Sequence, residues 1–358
     1  MRTIRWVKSS WLRPLALASL IANIGLVVTG AAVRLTGSGL GCPTWPECTT
    51  DSYTTTSEMG VHGVIEFTNR MLTFVLGILA VACVVAAIFD RPRRAAEIGR
   101  RLAATLSSPG RAVAALFRRA TYRRAGTAIV SPTRRASTIR LSVAVLLCIP
   151  LQAVIGGITV LTDLNPWVVG LHFLASMVVI AFAYALWKRT AEPEGEPVLL
   201  VPVPVRHLAR LTVLASAAVI AVGVVVTGSG PHAGDASAKR NGLDPQSIAQ
   251  AHADVVMVLL GLTVALCFTL RAVNAPAVTF RAAVTLLAVE LAQALIGFVQ
   301  YFTHLPVLLV GAHLLGASLV WTATLSMLWS TRERPGVVPS VEPEPARSRA
   351  ALPVPTTP

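Results

Sequence analysis

Apolar residues along this chain gather in eight long runs that polar segments separate. A helix needs about 20 apolar residues to cross the hydrocarbon core of a bilayer, and these runs are of that order of length. They are unbroken, whereas the strands of a membrane β-barrel alternate apolar and polar residues. The pattern therefore predicts an all-α polytopic membrane protein with eight transmembrane helices. The expected spans are residues 14–33, 64–89, 140–161, 166–187, 210–228, 249–270, 278–300 and 306–329.

The composition agrees with the hydropathy pattern. Of the 358 residues, 54% are hydrophobic and only 13% are charged, whereas charged residues make up about 25% of an average soluble protein. The mean hydropathy is +0.66. These values exclude a disordered chain, a small disulfide-stapled domain and most soluble enzymes.

The net charge of +14 is distributed unevenly between the two sides of the predicted helices. Segments on one side hold most of the Lys and Arg residues, and the loop 90–138 alone contains 12 arginines. Cytoplasmic loops of membrane proteins carry such an excess. The pattern predicts a protein of the cytoplasmic membrane with both termini in the cytoplasm. The lipid bilayer, and not nucleic acid, is then the expected partner of the positive charge.

Two cytoplasmic segments lie outside the predicted helices. The loop 90–138 is typical of a solvated connection that enforces orientation, and attraction to anionic lipid is the alternative. The proline-rich tail 331–358 is expected to be disordered.

The two halves of the chain resemble each other. Residues 152–179 align without a gap on 293–320, and the match includes glutamine, glycine and histidine as well as apolar residues. The string VVTGAAVRLTGSG (27–39) is also similar to VVVTGSG (224–230). This repetition predicts two tandem four-helix bundles in pseudo-twofold repeat, an N-terminal one in 1–189 and a C-terminal one in 190–330.

Histidines near the outer ends of the spans are the first candidates for chemistry, because polar residues within a membrane are costly and usually functional. His252 and His313 lie on different helices of the second bundle, as two axial ligands of one haem require. His172 is the repeat equivalent of His313 in the first bundle. The spacing of His, Cys, Asp and Glu does not match a compact zinc site.

The first outer loop and the helix after it carry further candidates. His62, Glu66 and Asn69 are spaced i, i+4 and i+7, so they share one helix face. Glu66 is suited to removing or relaying protons, and a salt bridge with Arg70 is the alternative. Cys42 and Cys48 flank PTWPE in the loop. An oxidising compartment permits a disulfide between them, with two free thiols as the alternative.

Several of these strings together resemble the haem A synthase family over roughly residues 14–330. They are VVTGAAVRLTGSGLGCPTWPEC, IEFTNR, LQAVIGGITVL with GLHFLAS, and GAHLLGAS. The resemblance implies an eight-helix oxidoreductase that converts the C8 methyl of haem O to the formyl group of haem A, with oxygen from water. It implies haem b as cofactor, cytochrome c oxidase as destination of the product, and haem O synthase as a partner. A homo-oligomer is left open.

The resemblance also implies residue roles. His252 and His313 match the pair that binds haem b iron, His172 matches a histidine of the haem O site, and Glu66 matches the essential glutamate. Cys42 and Cys48 match the loop cysteines of many bacterial members, and we expect a disulfide between them.

The chain departs from the family at Asn69, where the commoner motif has histidine. His62 is the candidate substitute as a haem O ligand.

Two other functions use parts of the same pattern. A bis-histidine electron-transfer cytochrome explains the histidines, but it does not require Glu66 in one half only. A transporter built on tandem repeats would need polar residues and broken helices in mid-membrane, and these spans contain few such features.

Overall fold

A computed structural model describes residues 11–90 and 134–335. Within these ranges, eight helices are long and apolar enough to cross a membrane, as the sequence predicts. The expectations for the arginine-rich loop between 91 and 133, and for the tail beyond 335, lie outside the described residues. The helices are α1 Leu12–Leu35, α2 Gly60–Phe89, α3 Arg134–Leu161, α4 Pro166–Ala191, α5 Val203–Ser229, α6 Pro245–Ala272, α7 Ala277–Phe302 and α8 Val307–Ser330. A 3-10 turn, Ser57–Met59, leads into α2, and two short strands, β1 Val198–Leu199 and β2 Arg332–Glu333, lie outside the helices.

The ends of the elements on the side where α1 begins differ from the predicted ones. Helix α3 includes Arg134 and Arg135, inside the segment assigned to the loop, and these two arginines bind the end of α2. Arg134 Nη2 lies 3.2 Å from Asp90 Oδ2, and Arg135 Nη2 donates to the Ile88 carbonyl at 2.7 Å. The predicted tail also starts with structure, since β2 pairs with β1 antiparallel.

The helices form two sets of four. In the first set, α1 and α3 each pack against both α2 and α4, and in the second set, α5 and α7 each pack against both α6 and α8. Helices α2 and α4, like α6 and α8, therefore face each other across a bundle. The sets meet through α1 with α8, α4 with α5, and α4 with α8. At this last contact the Trp321 indole donates to the Met177 carbonyl at 2.9 Å.

Large apolar side chains cover the outward surface of the bundles. Phe74, Ile78 and Phe268 are 67%, 72% and 73% exposed. Exposed apolar surface of this extent is what a helix presents to lipid.

Two outer turns have the same unusual backbone geometry. Asp163 and Leu164, before α4, have φ of 51° and 57°, and His304 and Leu305, before α8, have φ of 62° and 59°. Few non-glycine residues adopt this left-handed conformation. In each turn the leucine N–H bonds a carbonyl five residues earlier, at 2.8 Å. The two turns start α4 and α8 in the same way, so His172 and His313 occupy the same register in their helices.

Candidate functional site

The histidines of the second bundle lie on the two helices that face each other across it. His252 is seven residues after the start of α6, and His313 is six residues after the start of α8. At 1.5 Å per residue, both lie about 10 Å inward from the outer helix ends. Nδ1 of each ring is buried without a well-formed hydrogen bond among the described residues.

A glycine on a neighbouring helix lies against each imidazole. A Cβ atom added to Gly223 on α5 would lie 3.0 Å from Cε1 of His252, and one added to Gly297 on α7 would lie 3.2 Å from Cε1 of His313. A side chain at either glycine would press on the imidazole, so the ring would have to shift by a few tenths of an ångström. Gln293 further joins α7 to α8, because its amide donates to the His313 carbonyl at 2.8 Å.

This arrangement fits a haem with two axial imidazoles. Haem takes its protein ligands from opposite sides of a flat macrocycle, and facing helices of a bundle can supply one each. Among the described residues, no group of three or more His, Cys, Asp and Glu is arranged to hold a metal ion. The paired histidines therefore fit haem iron better than a closed zinc site.

The first bundle repeats half of this arrangement. A Cβ atom added to Gly156 on α3 would lie 3.2 Å from Cε1 of His172, and the His172 Nδ1 is buried without a hydrogen-bond partner in the described ranges. The Gln152 amide donates to the His172 carbonyl at 3.3 Å and to Ser176 Oγ at 2.6 Å. His172 is thus held as His313 is held.

On α2, the helix that faces His172 across the first bundle, the corresponding residue is Asn69, which has a short amide side chain. Asn69 Oδ1 accepts a 2.8 Å hydrogen bond from Thr29 Oγ1 on α1. Gly25, which matches Gly223 when the two VVTG strings are aligned, has open space beside it: an added Cβ would meet no described atom within 4 Å. Three of the four glycine positions therefore hold an imidazole, and the fourth does not.

Glu66 is buried and takes part in an ion pair. Its Oε1 lies 2.6 Å from Arg70 Nη2, and its Oε2 accepts from the Cys42 backbone N–H at 2.7 Å. Arg70 also donates to the carbonyls of Cys42, Thr44 and Glu47 at 2.8, 3.1 and 3.2 Å. The salt bridge that the spacing allows is present, and the pair anchors the first outer loop to α2.

The first outer loop contains the predicted disulfide. Cys42 and Cys48 are bonded, with their Cα atoms 4.4 Å apart, and both are buried. Between them, the Trp45 ring lies directly against Gly157 of α3. Gly157 adjoins Gly156, which contacts His172, so the loop covers the outer end of the first bundle beside that histidine.

His62 lies farther out than the other candidates. It is exposed at the outer end of α2, and its Nδ1 is 2.9 Å from Ser38 Oγ. It lines a pocket of about 570 Å³ together with Met59 and Asp235. Hydrogen bonds from Ser237 hold the pKa of Asp235 below its ordinary value, and the nearby His62 lowers it further.

Sequence reasoning passed over two residues that the fold makes conspicuous. Glu290 is 5% exposed in the middle of α7 and accepts a 2.9 Å hydrogen bond from Thr263 Oγ1. A lone carboxylate within an apolar run was the available signal. Trp45 lies in the string between the two cysteines, and no sequence signal predicts that it packs against Gly157.

A sequence model of the COX15-CtaA family, described as cytochrome oxidase assembly protein, matches residues 13–325. No curated protein matches the chain.

Proposed function

The chain belongs to the COX15-CtaA family of cytochrome oxidase assembly proteins, and from this membership we propose that it is a haem A synthase. It is a multi-pass membrane protein with eight helices capable of spanning the bilayer. The proposed reaction oxidises the C8 methyl of haem O to the formyl group of haem A. Haem O synthase is the class of enzyme that supplies this substrate, and cytochrome c oxidase uses the product.

The overall oxidation balances with water as the oxygen source. A methyl group and one water molecule give a formyl group, four protons and four electrons. The site must therefore hold the porphyrin, accept protons beside the reacting methyl, and pass electrons to an oxidant in the membrane.

The second bundle is proposed to hold haem b through His252 and His313. The observation that carries this assignment is the pair of imidazoles on facing helices, each set against a glycine. A bound haem b would supply one-electron redox chemistry. Each ring packs against a glycine of a neighbouring helix. In addition, Gln293 ties α7 to the backbone of His313.

The first bundle is proposed to hold haem O, with His172 as its iron ligand. Glu66 lies in this bundle and not in the second, which fits a role in proton removal. Arg70 keeps Glu66 oriented toward the loop, and Trp45 covers the outer end beside His172. His62 remains a candidate second ligand. We expect its replacement to have the smaller effect, because it is exposed and bonded to Ser38.

The test is expression in a bacterial strain that accumulates haem O, followed by pigment extraction and chromatography. We expect haem A with the wild-type chain and none with His172→Ala. His62→Ala is expected to retain part of the yield. Equal loss in the two variants would identify His62 as the second ligand, and no haem A from the wild type would reject the proposed reaction.

A bis-histidine electron-transfer cytochrome is the second candidate, because His252 and His313 alone would satisfy it. The same pigment assay separates the two. Such a cytochrome would bind haem b and leave haem O unchanged.

A further inference from the structure

Arg34, at the outer end of α1, reaches from the first bundle into the second. Its Nε donates to the His232 carbonyl at 2.6 Å, and its Nη2 donates to the Thr227 carbonyl at 2.7 Å. A guanidinium has five N–H donors. No hydrogen bond from its Nη1 is found within the described part of the chain, so part of this group is available to a ligand.

A second guanidinium holds the same loop. Arg240 Nη1 donates to the Ala238 carbonyl at 2.9 Å, and its Nη2 donates to the Pro231 carbonyl at 2.5 Å. Arg34 and Arg240 bind the carbonyls of adjacent residues, His232 and Pro231, so the two guanidinium groups meet at one point of the loop. Two arginines held together by neutral carbonyls leave positive charge without compensation.

The carboxylates nearest to these arginines along the chain bind elsewhere. Among the described residues, none of the ion pairs includes Arg34 or Arg240. Asp235, in the same loop, binds Ser237 and interacts with His62. Arg70, another outer cation, is neutralised by Glu66. The two guanidinium groups are therefore able to accept an anion from outside the chain.

The position of Arg34 relates this charge to the histidines of the second bundle. Thr227, whose carbonyl Arg34 binds, is one turn outward from Gly223, and Thr227 Oγ1 donates to the Gly223 carbonyl at 2.8 Å. Gly223 in turn lies against His252. Leu35, next to Arg34, contacts Gly311, two residues before His313. The guanidinium thus lies on the outer side of the His252 and His313 pair.

We propose that Arg34 and Arg240 bind the propionate carboxylates of the haem held by His252 and His313. This inference rests on the haem b assignment made above. Haem carries two carboxylates on one edge, and arginine is the side chain best suited to paired hydrogen bonds with a carboxylate. The two histidines lie about 10 Å from the outer helix ends, so an outward-directed propionate edge would meet the two arginines. The site also joins the bundles, because Arg34 comes from the first and the loop from the second.

The experiment is a redox titration of haem b in purified full-length protein with Arg34→Gln, Arg240→Gln or Arg34→Lys. Removing a positive charge beside the haem favours the ferric form. We expect each glutamine variant to lower the preference for ferrous over ferric haem about tenfold, which is about 59 mV for a one-electron couple. Arg34→Lys should retain most of the potential. The control is Lys239→Gln. Lys239 and Arg240 are both exposed, but hydrogen bonds to two loop carbonyls hold Arg240 in place. Lys239 makes none among the described residues, so solvent and salt should screen its charge and the potential should change little.

A second measurement avoids substitution. Wild-type chain produced in a haem-deficient host is supplied with haem b or with its dimethyl ester, and we expect the ester to be retained at least tenfold less well. Equal potentials in Arg34→Gln, Arg240→Gln and Lys239→Gln, or equal retention of haem and ester, would overturn the propionate site and leave the haem A synthase proposal intact. Wild-type protein that binds no haem b would instead reject the cofactor assignment itself.

Discussion

At the scale of single residues, a contact between imidazole and glycine recurs three times in the described part of the chain. His172, His252 and His313 come from three helices, and each lies against a glycine of a neighbouring helix. A histidine placed in this way loses rotamer freedom before any ligand arrives, and pre-ordered groups bind with a smaller entropic cost. The glycines therefore belong to the proposed haem sites as much as the histidines do.

Gly223→Ala should weaken haem b binding. The added Cβ would lie 3.0 Å from Cε1 of His252, so the ring must shift, and overpacking of this kind costs about 1–3 kcal/mol. The measurement is the reduced spectrum and haem content of the purified variant. Gly25→Ala is the matched control, because an added Cβ there meets no described atom within 4 Å. Equal haem content in both variants would contradict the role of the glycine.

Glu66→Gln should abolish most haem A formation and leave haem b in place. Glutamine is nearly isosteric and can still accept the Cys42 N–H bond, but it cannot take up a proton at neutral pH. Pigment extraction measures the product, and the reduced spectrum of the second bundle is the internal control. A wild-type yield of haem A would remove Glu66 from the catalytic role.

The double interpretation of Glu66 shows what residue spacing can and cannot predict. The i, i+4 spacing indicated that Glu66 could form an ion pair with Arg70, and the structure contains this pair. Spacing could not show that Arg70 also binds three loop carbonyls, because those contacts depend on how the loop folds back over α2. A proton acceptor and a loop anchor are compatible roles for one ion pair.

At the scale of elements, the first outer loop is held by a disulfide and by contacts with two helices. The disulfide closes it, and Arg70 and Trp45 attach it to α2 and α3. The cysteine pairing was predictable from the string of residues and the resemblance it carries. The packing of Trp45 against Gly157 was not predictable, because no residue close to Trp45 in sequence requires that contact.

Cys42 and Cys48 should resist thiol reagents in denatured, unreduced protein and react fully after reduction. Cys83, Cys148 and Cys267 are free, and they provide the control for complete denaturation. Replacing both loop cysteines with serine should cost at most about 2–3 kcal/mol of stability, since the closed loop is short. Labelling of five cysteines without reductant would show that the bridge does not form.

Hydropathy predicts where the helices lie but not where they end. The apolar runs correctly predicted all eight spans, because burial in lipid requires uninterrupted apolar sequence. They did not predict that α3 includes Arg134 or that β2 pairs with β1. Outside the bilayer, helix ends are decided by hydrogen bonds and ion pairs such as Arg134 with Asp90, and these involve partners distant in sequence.

At the scale of the whole molecule, the contact between the halves is the feature least accessible to sequence reasoning. The internal repeat predicts two similar bundles, but it does not say which helices join them. In the structure, α1 packs against α8 and α4 against α5, and Arg34 and Trp321 add polar bonds across the boundary. The candidate site shares this property, because Arg34 of one half binds Thr227 of the other, one turn from the glycine that lies against His252.

The distribution of charge along the chain predicts its orientation in the membrane. If both termini are cytoplasmic, the disulfide loop, His62 and the Arg34–Arg240 pair all lie on the oxidising side, where a disulfide persists. A green fluorescent protein fused after residue 358 should fluoresce, and alkaline phosphatase at the same site should be inactive, because each reporter works on only one side of the membrane. Phosphatase inserted after Ala236, an exposed residue of the outer loop, is the complementary control and should be active. The reverse pattern would place the twelve arginines of the loop 90–138 outside the cell, against the positive-inside bias, and would remove the compartment that the disulfide requires.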